Sequence, residues 1–226
     1  MGKLIVIDGL DGSGKTTQSE RLYAGLAAQG RNVKLIHFPD YDSEAAALVK
    51  MYLRGEFGHS PDDTGAYAAA TFYAAERYAS YKMNWEPFYR EKDAIVLTCR
   101  YTTANAVHQL PKIEREHWDD FLDWLYDFEY RKLGIPAPDK VFYLEMDPAV
   151  SETLLQKRNQ TTGQALDIHE KDKSYEARCY KAALYSSEKL GWDRVSCCRD
   201  GALLSVEEMG DILLKKTVEF LDSCQA

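Results

Sequence analysis

A glycine-rich segment near the N-terminus narrows the possible folds more than any other part of the chain. Its residues, Gly9-Leu10-Asp11-Gly12-Ser13-Gly14-Lys15-Thr16, match the pattern GxxxxGK[ST]. The apolar run Leu4 to Ile7 before it predicts a buried strand, and helical patterning over Thr16 to Ala28 follows it. A strand, a loop of this kind and a helix, in this order, predict a binding site for the phosphates of a nucleotide.

Each residue type in the segment has a physical reason to be there. Glycines let the backbone turn its amides inward around a phosphate, and the helix N-terminus adds partial positive charge at the same point. Lys15 can supply a point charge to the β and γ phosphates, and the Thr16 hydroxyl can ligate Mg²⁺. The alternative is a turn that only joins strand to helix. The predicted nucleotide-binding residues are Gly9, Asp11, Gly12, Ser13, Gly14, Lys15, Thr16 and Thr17.

Strand and helix patterns alternate along the rest of the chain. Apolar runs that predict strands lie at 4–7, 33–38, 94–98, 140–145 and 194–197, and helical patterns lie at 16–28, 64–82, 115–131, 148–157, 173–190 and 206–221. This alternation predicts an α/β fold of the three-layer P-loop NTPase type, with a five-stranded parallel sheet and helices on both faces. Without a Pro-, Gly- or Ser-rich linker, residues 1–226 are expected to form one domain. The polar segment Asn159 to His169 is either a plain loop or part of a lid at about 157–173.

Composition excludes several classes of protein. The 226 residues carry 28 Lys and Arg against 36 Asp and Glu, a net charge of −8, which argues against a nucleic acid partner but allows a small anionic ligand in a local basic cleft. No apolar run is long enough for a membrane helix, and no signal-peptide pattern opens the chain. Five cysteines without CxxC spacing indicate neither a disulfide framework nor a zinc site, so a reducing cytoplasm is expected.

Further motifs, taken in order, resemble those of the thymidylate kinases. They are Asp11, Phe38-Pro39-Asp40, Tyr73-Ala74-Ala75-Glu76-Arg77, Arg100-Tyr101, Asp167-Ile168-His169-Glu170 and Asp200-Gly201. The resemblance implies transfer of the γ-phosphoryl group of ATP to dTMP, giving dTDP and ADP, with Mg²⁺ as cofactor. It also implies a homodimer. Because a monophosphate acceptor is already anionic, this reaction needs no general base.

The same resemblance suggests how the acceptor is held. Tyr73 and Arg77 share a helix face at i, i+4. The Tyr73 ring is therefore expected to stack on thymine, and the guanidinium groups of Arg77 and Arg100 are expected to bind the phosphate. The alternative is that Tyr73 packs in the core and Arg77 forms a surface ion pair with Glu76 or another carboxylate.

Polar groups after the third strand complete the expected acceptor site. Asn105 and Gln109 fall where the family directs polar side chains to the nucleobase, and helix capping or surface polarity is the alternative. Asp11 is expected at the deoxyribose 3′-hydroxyl, unless it only stabilises amides of its own loop. The remaining substrate-binding residues implied are Phe38, Pro39 and Glu170.

Two departures from the family pattern stand out. Cys99 replaces the usual Asp before Arg100, which puts metal coordination in doubt and leaves Thr16 as the metal ligand; we interpret Cys99 as a small buried residue. Gly12 stands where some members carry a loop arginine, so a lid cation is implied. Arg158 is the leading candidate, ahead of Lys171 and Lys173, although it could simply complement a helix C-terminus. The expected catalytic residues are Lys15, Arg100 and Arg158.

Two other functions remain open from the sequence. A deoxynucleoside kinase would share the phosphate-binding loop, but its hydroxyl acceptor would need a carboxylate base, and Cys99 stands where such a base is expected. A nucleotide-binding regulator without catalysis would fit the Cys99 substitution and the arginine-poor lid, although the retained Lys15, Thr16, Arg77 and Arg100 argue against it.

Overall fold

In the computed structural model, which describes residues 1–147, 150–151 and 173–224, five parallel strands form the central sheet. They are β1 (Lys3–Gly9), β2 (Val33–His37), β3 (Ile95–Cys99), β4 (Lys140–Glu145) and β5 (Asp193–Ser196), in the spatial order β2-β3-β1-β4-β5. β1 is central, and its Ile7 is in register with Cys99 of β3 and Phe142 of β4. The predicted five-stranded parallel α/β fold is confirmed.

Helices connect and cover these strands. Eight have described bounds: α1 (Lys15–Ala28), α2 (Ala47–Leu53), α3 (Ala66–Ser80), α4 (Glu86–Tyr89), α5 (Thr102–Gln109), α6 (Trp118–Tyr126), α7 (Lys173–Leu190) and α8 (Val206–Ser223). A short antiparallel hairpin, β6 (Cys198–Arg199) and β7 (Ala202–Leu203), precedes α8. A capping box between Ser205 and Glu208 starts α8, which satisfies amide groups that have no partner within the helix.

Side chains alternate between the two faces of the sheet and build a core on each. On one face, Leu4 and Val6 of β1 join aromatic and aliphatic residues of α5, α6 and α7. On the other, Ile5 and Ile7 pack with Leu22 of α1 and with residues of α8. All four β1 residues have no exposed surface, which is why this strand reads as a continuous apolar run.

Helical segments differ from the sequence prediction at two places. The predicted helix at 64–82 is α3 followed by a π-helical turn, Tyr81–Trp85, and the one at 115–131 is α6 followed by a second π-helical turn, Asp127–Lys132. In the second turn, the Leu133 amide donates to the Phe128 carbonyl, five residues earlier, at 2.9 Å. The hydrophobic pattern does not reveal the extra residue in each turn.

The other helix predictions fall into two groups. Those for α1, α7 and α8 agree with the structure within two residues, whereas most of the predicted segment 148–157 lies outside the described residues. No helix within the described ranges is both long and apolar enough to cross a membrane.

Candidate active site

The carboxyl ends of β1 and β3 meet at one edge of the sheet and bring together the residues around the glycine-rich loop. β1 ends at Gly9, β3 ends at Cys99, and Arg100 follows directly. Open parallel sheets bind ligands at this edge. The Arg100 amide donates to the carbonyl of Ile7 at 3.0 Å, and the Thr98 hydroxyl donates to the Arg100 carbonyl at 2.8 Å. Arg100 adopts a left-handed φ of 63° there.

Glycines in the loop have separate structural roles. Gly12 and Gly14 have φ of 81° and 80°, which other residues rarely adopt. Gly14 is the N-cap of α1 without a side-chain cap, and a Cβ there would lie in open space, so the helix N-terminus stays accessible. At Gly9, a Cβ would lie 2.5 Å from Ser13 Oγ and 3.0 Å from the Leu144 carbonyl oxygen. The loop therefore fits a phosphate chain, and only glycine fits at position 9.

Two cations of the site converge on Asp11. Lys15 Nζ donates to Asp11 Oδ1 and to the Leu10 carbonyl, both at 3.1 Å, and an Arg100 nitrogen also donates to Asp11 Oδ1. Burial opposes ionisation of Asp11, but Arg100 and Lys15 outweigh it and hold its pKa well below the usual range. In the structure the Asp11 carboxylate thus pairs with cationic side chains, rather than with amides of its own loop.

A buried carboxylate that the sequence analysis missed lies at the end of β1. Asp8 is 1% exposed; its Oδ1 accepts from the Gly9 amide at 2.8 Å and its Oδ2 from the Thr103 hydroxyl. Burial raises the pKa of Asp8, with the Arg100 charge opposing that shift. An acidic residue just before the loop, at the carboxyl end of a predicted strand, was the available signal for it.

Cys99 lies beside the P-loop hydroxyl that is expected to bind metal. Its Sγ is 3.8 Å from Thr16 Oγ1, and the residue is buried. Burial raises the pKa of the Cys99 thiol, which keeps it protonated and argues against a nucleophilic role. The oxygen groups of Thr16, Asp8 and Asp11 nearby are of the hard type that suits Mg²⁺.

On the acceptor side, Arg77 forms a buried ion pair with a carboxylate from another helical segment. Arg77 of α3 and Glu129 of the second π-helical turn are 1% and 0% exposed; Arg77 Nε donates to Oε2 at 2.7 Å and Nη2 to Oε1 at 2.5 Å. The alternative of an ion pair with another carboxylate agrees with this contact, except that the pair is buried and not on the surface. The expected role of Arg77 in binding the phosphate stays a prediction. Glu129 lies 52 residues from Arg77 in the chain, so sequence spacing gave no signal for the contact.

Asn105 and Gln109 are both buried, so surface polarity does not account for either. Asn105 Nδ2 donates to the Ala70 carbonyl and to Glu129 Oε1, each at 3.2 Å. Gln109 has no exposed surface, and neither its amide nitrogen nor its amide oxygen has a hydrogen-bond partner within the described part of the chain. A buried amide without a partner is costly, which favours Gln109 as a group that a bound ligand satisfies.

Aromatic residues line the same region. Tyr73 is half-buried, with its ring edge-on to Tyr52 at a centroid distance of 6.3 Å and an interplanar angle of 88°. Phe38 is buried 5.9 Å from the ring of Tyr101, and half-buried Pro39 follows it. Several sequence predictions fall outside the described residues. They are most of the lid at about 157–173 with Arg158 and Lys171, the motif Asp167-Ile168-His169-Glu170, and the side chain of Lys173.

Comparison with known proteins gives one consistent family. The thymidylate kinase family model matches residues 7–192. A thymidylate kinase of Mycobacterium tuberculosis is 31% identical over 192 residues, covering 84% of this chain and 87% of the relative, and the human thymidylate kinase is 29% identical over 153 residues, covering 66% and 63%. The solved structure of a Candida albicans thymidylate kinase superposes with a TM-score of 0.66 at 19% identity, over 97% of this chain and 93% of that one, which supports the fold.

Proposed function

Because the chain belongs to the thymidylate kinase family and phosphorylates dTMP, we propose how its own residues carry out the transfer from ATP. The convergence of Lys15 and Arg100 on Asp11 at the carboxyl edge of the sheet carries the proposal. It places two cations and one carboxylate where the glycine-rich loop leaves its amides accessible. Donor phosphates and acceptor phosphate meet at this point.

On the donor side, the loop amides and the N-terminus of α1 bind the ATP phosphates. Glycines at positions 9, 12 and 14 allow the backbone to approach the phosphate chain closely, as described for their conformations and contacts. Lys15 then exchanges its contacts with Leu10 and Asp11 for the β and γ phosphates. Ser13, Thr16 and Thr17 supply hydroxyl groups at the start of the helix, where phosphate oxygens need donors.

On the acceptor side, dTMP lies between α3 and α5. Arg100 binds its phosphate, and Tyr73 contacts the face of the base. Gln109, whose buried amide has no partner within the described residues, hydrogen-bonds to the edge of the base. Arg77 contributes N–H groups that its bonds to Glu129 leave over. Asn105, whose two Nδ2 hydrogens are directed to Ala70 and Glu129, contributes its amide oxygen. Phe38 and Pro39 form an apolar wall, and Asp11 reaches the sugar hydroxyl.

In the chemical step, an oxygen of the dTMP phosphate forms a bond to the γ-phosphorus as the bond to the ADP oxygen breaks. The attacking oxygen is already negatively charged, so no side chain has to remove a proton. Lys15 and Arg100 orient the two anions and offset the charge that accumulates between them. The buried Cys99 thiol stays protonated and takes no part in the transfer.

When bound, Mg²⁺ would neutralise phosphate charge. The Thr16 hydroxyl would hold it, together with Asp8 or Asp11, because oxygen ligands suit this ion. We further propose a lid at about 157–173 that carries Arg158 as the transition-state cation, with Glu170 beside the substrate. A homodimer and a cytoplasmic location complete the proposal, and the five free thiols are consistent with a reducing compartment.

Steady-state assays with dTMP, dUMP and thymidine as acceptors test the substrate assignment. We expect turnover with dTMP and none with thymidine, because the two carboxylates described beside the loop are already engaged: Asp11 by Lys15 and Arg100, and Asp8 by Gly9 and Thr103. Neither is a free base for a hydroxyl acceptor. Turnover with thymidine but not with dTMP would overturn the assignment. For the lid, Arg158→Ala should lower kcat more than it raises KM, and near-native kinetics would remove Arg158 from the mechanism.

A further inference from the structure

The buried carboxylate of Glu129 gathers donors from both helices of the acceptor site. Its Oε2 accepts from Arg77 Nε at 2.7 Å and from the Thr102 hydroxyl at 2.9 Å. Its Oε1 accepts from Arg77 Nη2 at 2.5 Å and from Asn105 Nδ2 at 3.2 Å. Both oxygens are therefore used twice, and a single side chain without exposed surface links α3 to α5.

This network determines which part of the Arg77 guanidinium remains available. The bidentate contact uses Nε and one N–H of Nη2, so one side of the planar fork is occupied by the carboxylate. Nη1 makes only a 3.4 Å contact to the Tyr101 carbonyl. The outer end of the guanidinium thus keeps N–H groups in a fixed direction. A flexible arginine would have to lose side-chain entropy on binding, whereas this one is already ordered.

Glu76, the other carboxylate beside Arg77 on α3, does not pair with the Arg77 guanidinium. Glu76 is also buried, but it accepts from the backbone amide of Asp40 and makes no ion pair with Arg77. Within the described part of the chain, Glu129 is the carboxylate in direct contact with the buried guanidinium, and it offsets the burial that would otherwise oppose that charge. Glu129, which lies on neither α3 nor α5, therefore holds both Arg77 and Asn105, beside the contacts of Asn105 with Ala70 and of Arg77 with Tyr101.

We propose that Glu129 is a positioning residue for dTMP, which holds Arg77 and Asn105 in the geometry that the nucleotide requires. This rests on the proposed function, in which both residues bind dTMP. Glu129 does not contact the ATP loop, so its loss should affect the acceptor and spare the donor. A residue that contributes equally to binding of dTMP in the ground state and in the transition state changes KM when it is lost and leaves kcat unchanged.

Glu129→Gln is the principal test, because it keeps the shape and replaces one acceptor oxygen with a donor that faces the N–H groups of Arg77 or Asn105. We expect KM for dTMP to rise about tenfold, with kcat and KM for ATP changed by less than about twofold. Thr102→Val, which removes a single hydrogen bond to Glu129 and keeps the side-chain volume, should raise KM for dTMP to an intermediate value. Calorimetric titrations with dTMP and with a non-hydrolysable ATP analogue should show the same selectivity.

Leu213→Ala is the matched control for stability. Leu213 is fully buried in the core on the opposite face of the sheet, so the variant loses stability without approaching the acceptor site. We expect a lower thermal midpoint and an unchanged KM for dTMP. If Glu129→Gln and Thr102→Val also lower the midpoint while KM for dTMP stays at the wild-type value, Glu129 is only structural and the proposal is wrong. Absence of dTMP turnover in the wild type would instead refute the proposed function.

Discussion

Lys112 is a half-buried lysine whose charge should make the stability of the protein depend on pH. Its Nζ donates to the Tyr52 hydroxyl at 2.8 Å and to the Thr64 carbonyl at 3.1 Å, and it lies 4.9 Å from the centre of the Tyr52 ring. Burial lowers the pKa of Lys112 from 10.5 to about 8, and the more distant Asp62 opposes this shift only in part. These contacts join the segment before α3 to the end of α5, next to the acceptor site.

The sign of the effect follows from proton counting. The unfolded chain keeps the Lys112 proton up to the ordinary pKa of 10.5, whereas the folded protein releases it near the lowered value of about 8. Between these values the unfolded state binds more protons, so the free energy of unfolding rises with pH. From about pH 7 to about pH 9, this one group should add about 1.3 kcal/mol.

Urea unfolding at both pH values, on the wild type and on Lys112→Met, measures this contribution. Other groups titrate equally in the two proteins. The quantity to compare is therefore the difference in free energy of unfolding between wild type and variant, measured at pH 7 and again at pH 9. Lys82→Met is the control. Lys82 is exposed, and its partner Glu86 raises the pKa of Lys82 further above the pH range of the experiment. Parallel pH dependence of the wild type and Lys112→Met would refute the reasoning, since it would mean that Tyr52 and Thr64 keep the ammonium group charged at pH 9.

Three further predictions concern the site itself. Lys15→Ala and Arg100→Ala should each lower kcat/KM by about a hundredfold to a thousandfold, because each removes a cation that faces the transferred group; a loss below tenfold in steady-state assays would contradict this. Cys99→Asp adds a hard oxygen donor beside the metal-binding hydroxyl, so a Mg²⁺ titration of the rate should reach its midpoint at lower concentration, and an unchanged midpoint would argue against metal binding there. Arg77→Leu leaves the buried Glu129 without its ion-pair partner and should lower the free energy of unfolding, measured with denaturant, by about 3–5 kcal/mol. Adding Glu129→Leu should recover most of the stability without recovering dTMP turnover.

The strand, loop and helix of the donor half could be predicted from the sequence because that half is local. Gly9 to Thr16 are consecutive, and their spacing specifies the strand, the loop and the helix together. The position of Cys99 beside Thr16 also follows from parallel strands that end at one edge. Apolar runs such as Leu4 to Ile7 identify buried strands without knowledge of their neighbours.

The acceptor half depends on contacts that no local pattern encodes. Arg77 was recognised from its helix position, but its partner Glu129 lies in the stretch Asp-Phe-Glu-Tyr-Arg-Lys, which looks like an ordinary charged helix surface. Burial of Asn105 and Gln109 was missed for the same reason. Asn105 is in the first turn of α5 and Gln109 ends it, and polar residues at helix ends are usually exposed or capping. Asp8 was overlooked because it reads as the last residue of a strand.

Because of the second π-helical turn, the contact between Glu129 and Arg77 depends on the number of residues in that turn. Residues 127–132 contain one more residue than an α-helix would need over the same rise, and Glu129 lies among them. A deletion of Asp127 or Phe128, which lie in the π-helical turn just before Glu129, would restore regular helical hydrogen bonding. It would also rotate Glu129 by about 100° around the helix axis, away from Arg77. In this segment, insertions and deletions are thus constrained by the buried contact of Glu129 with Arg77 rather than by the helix.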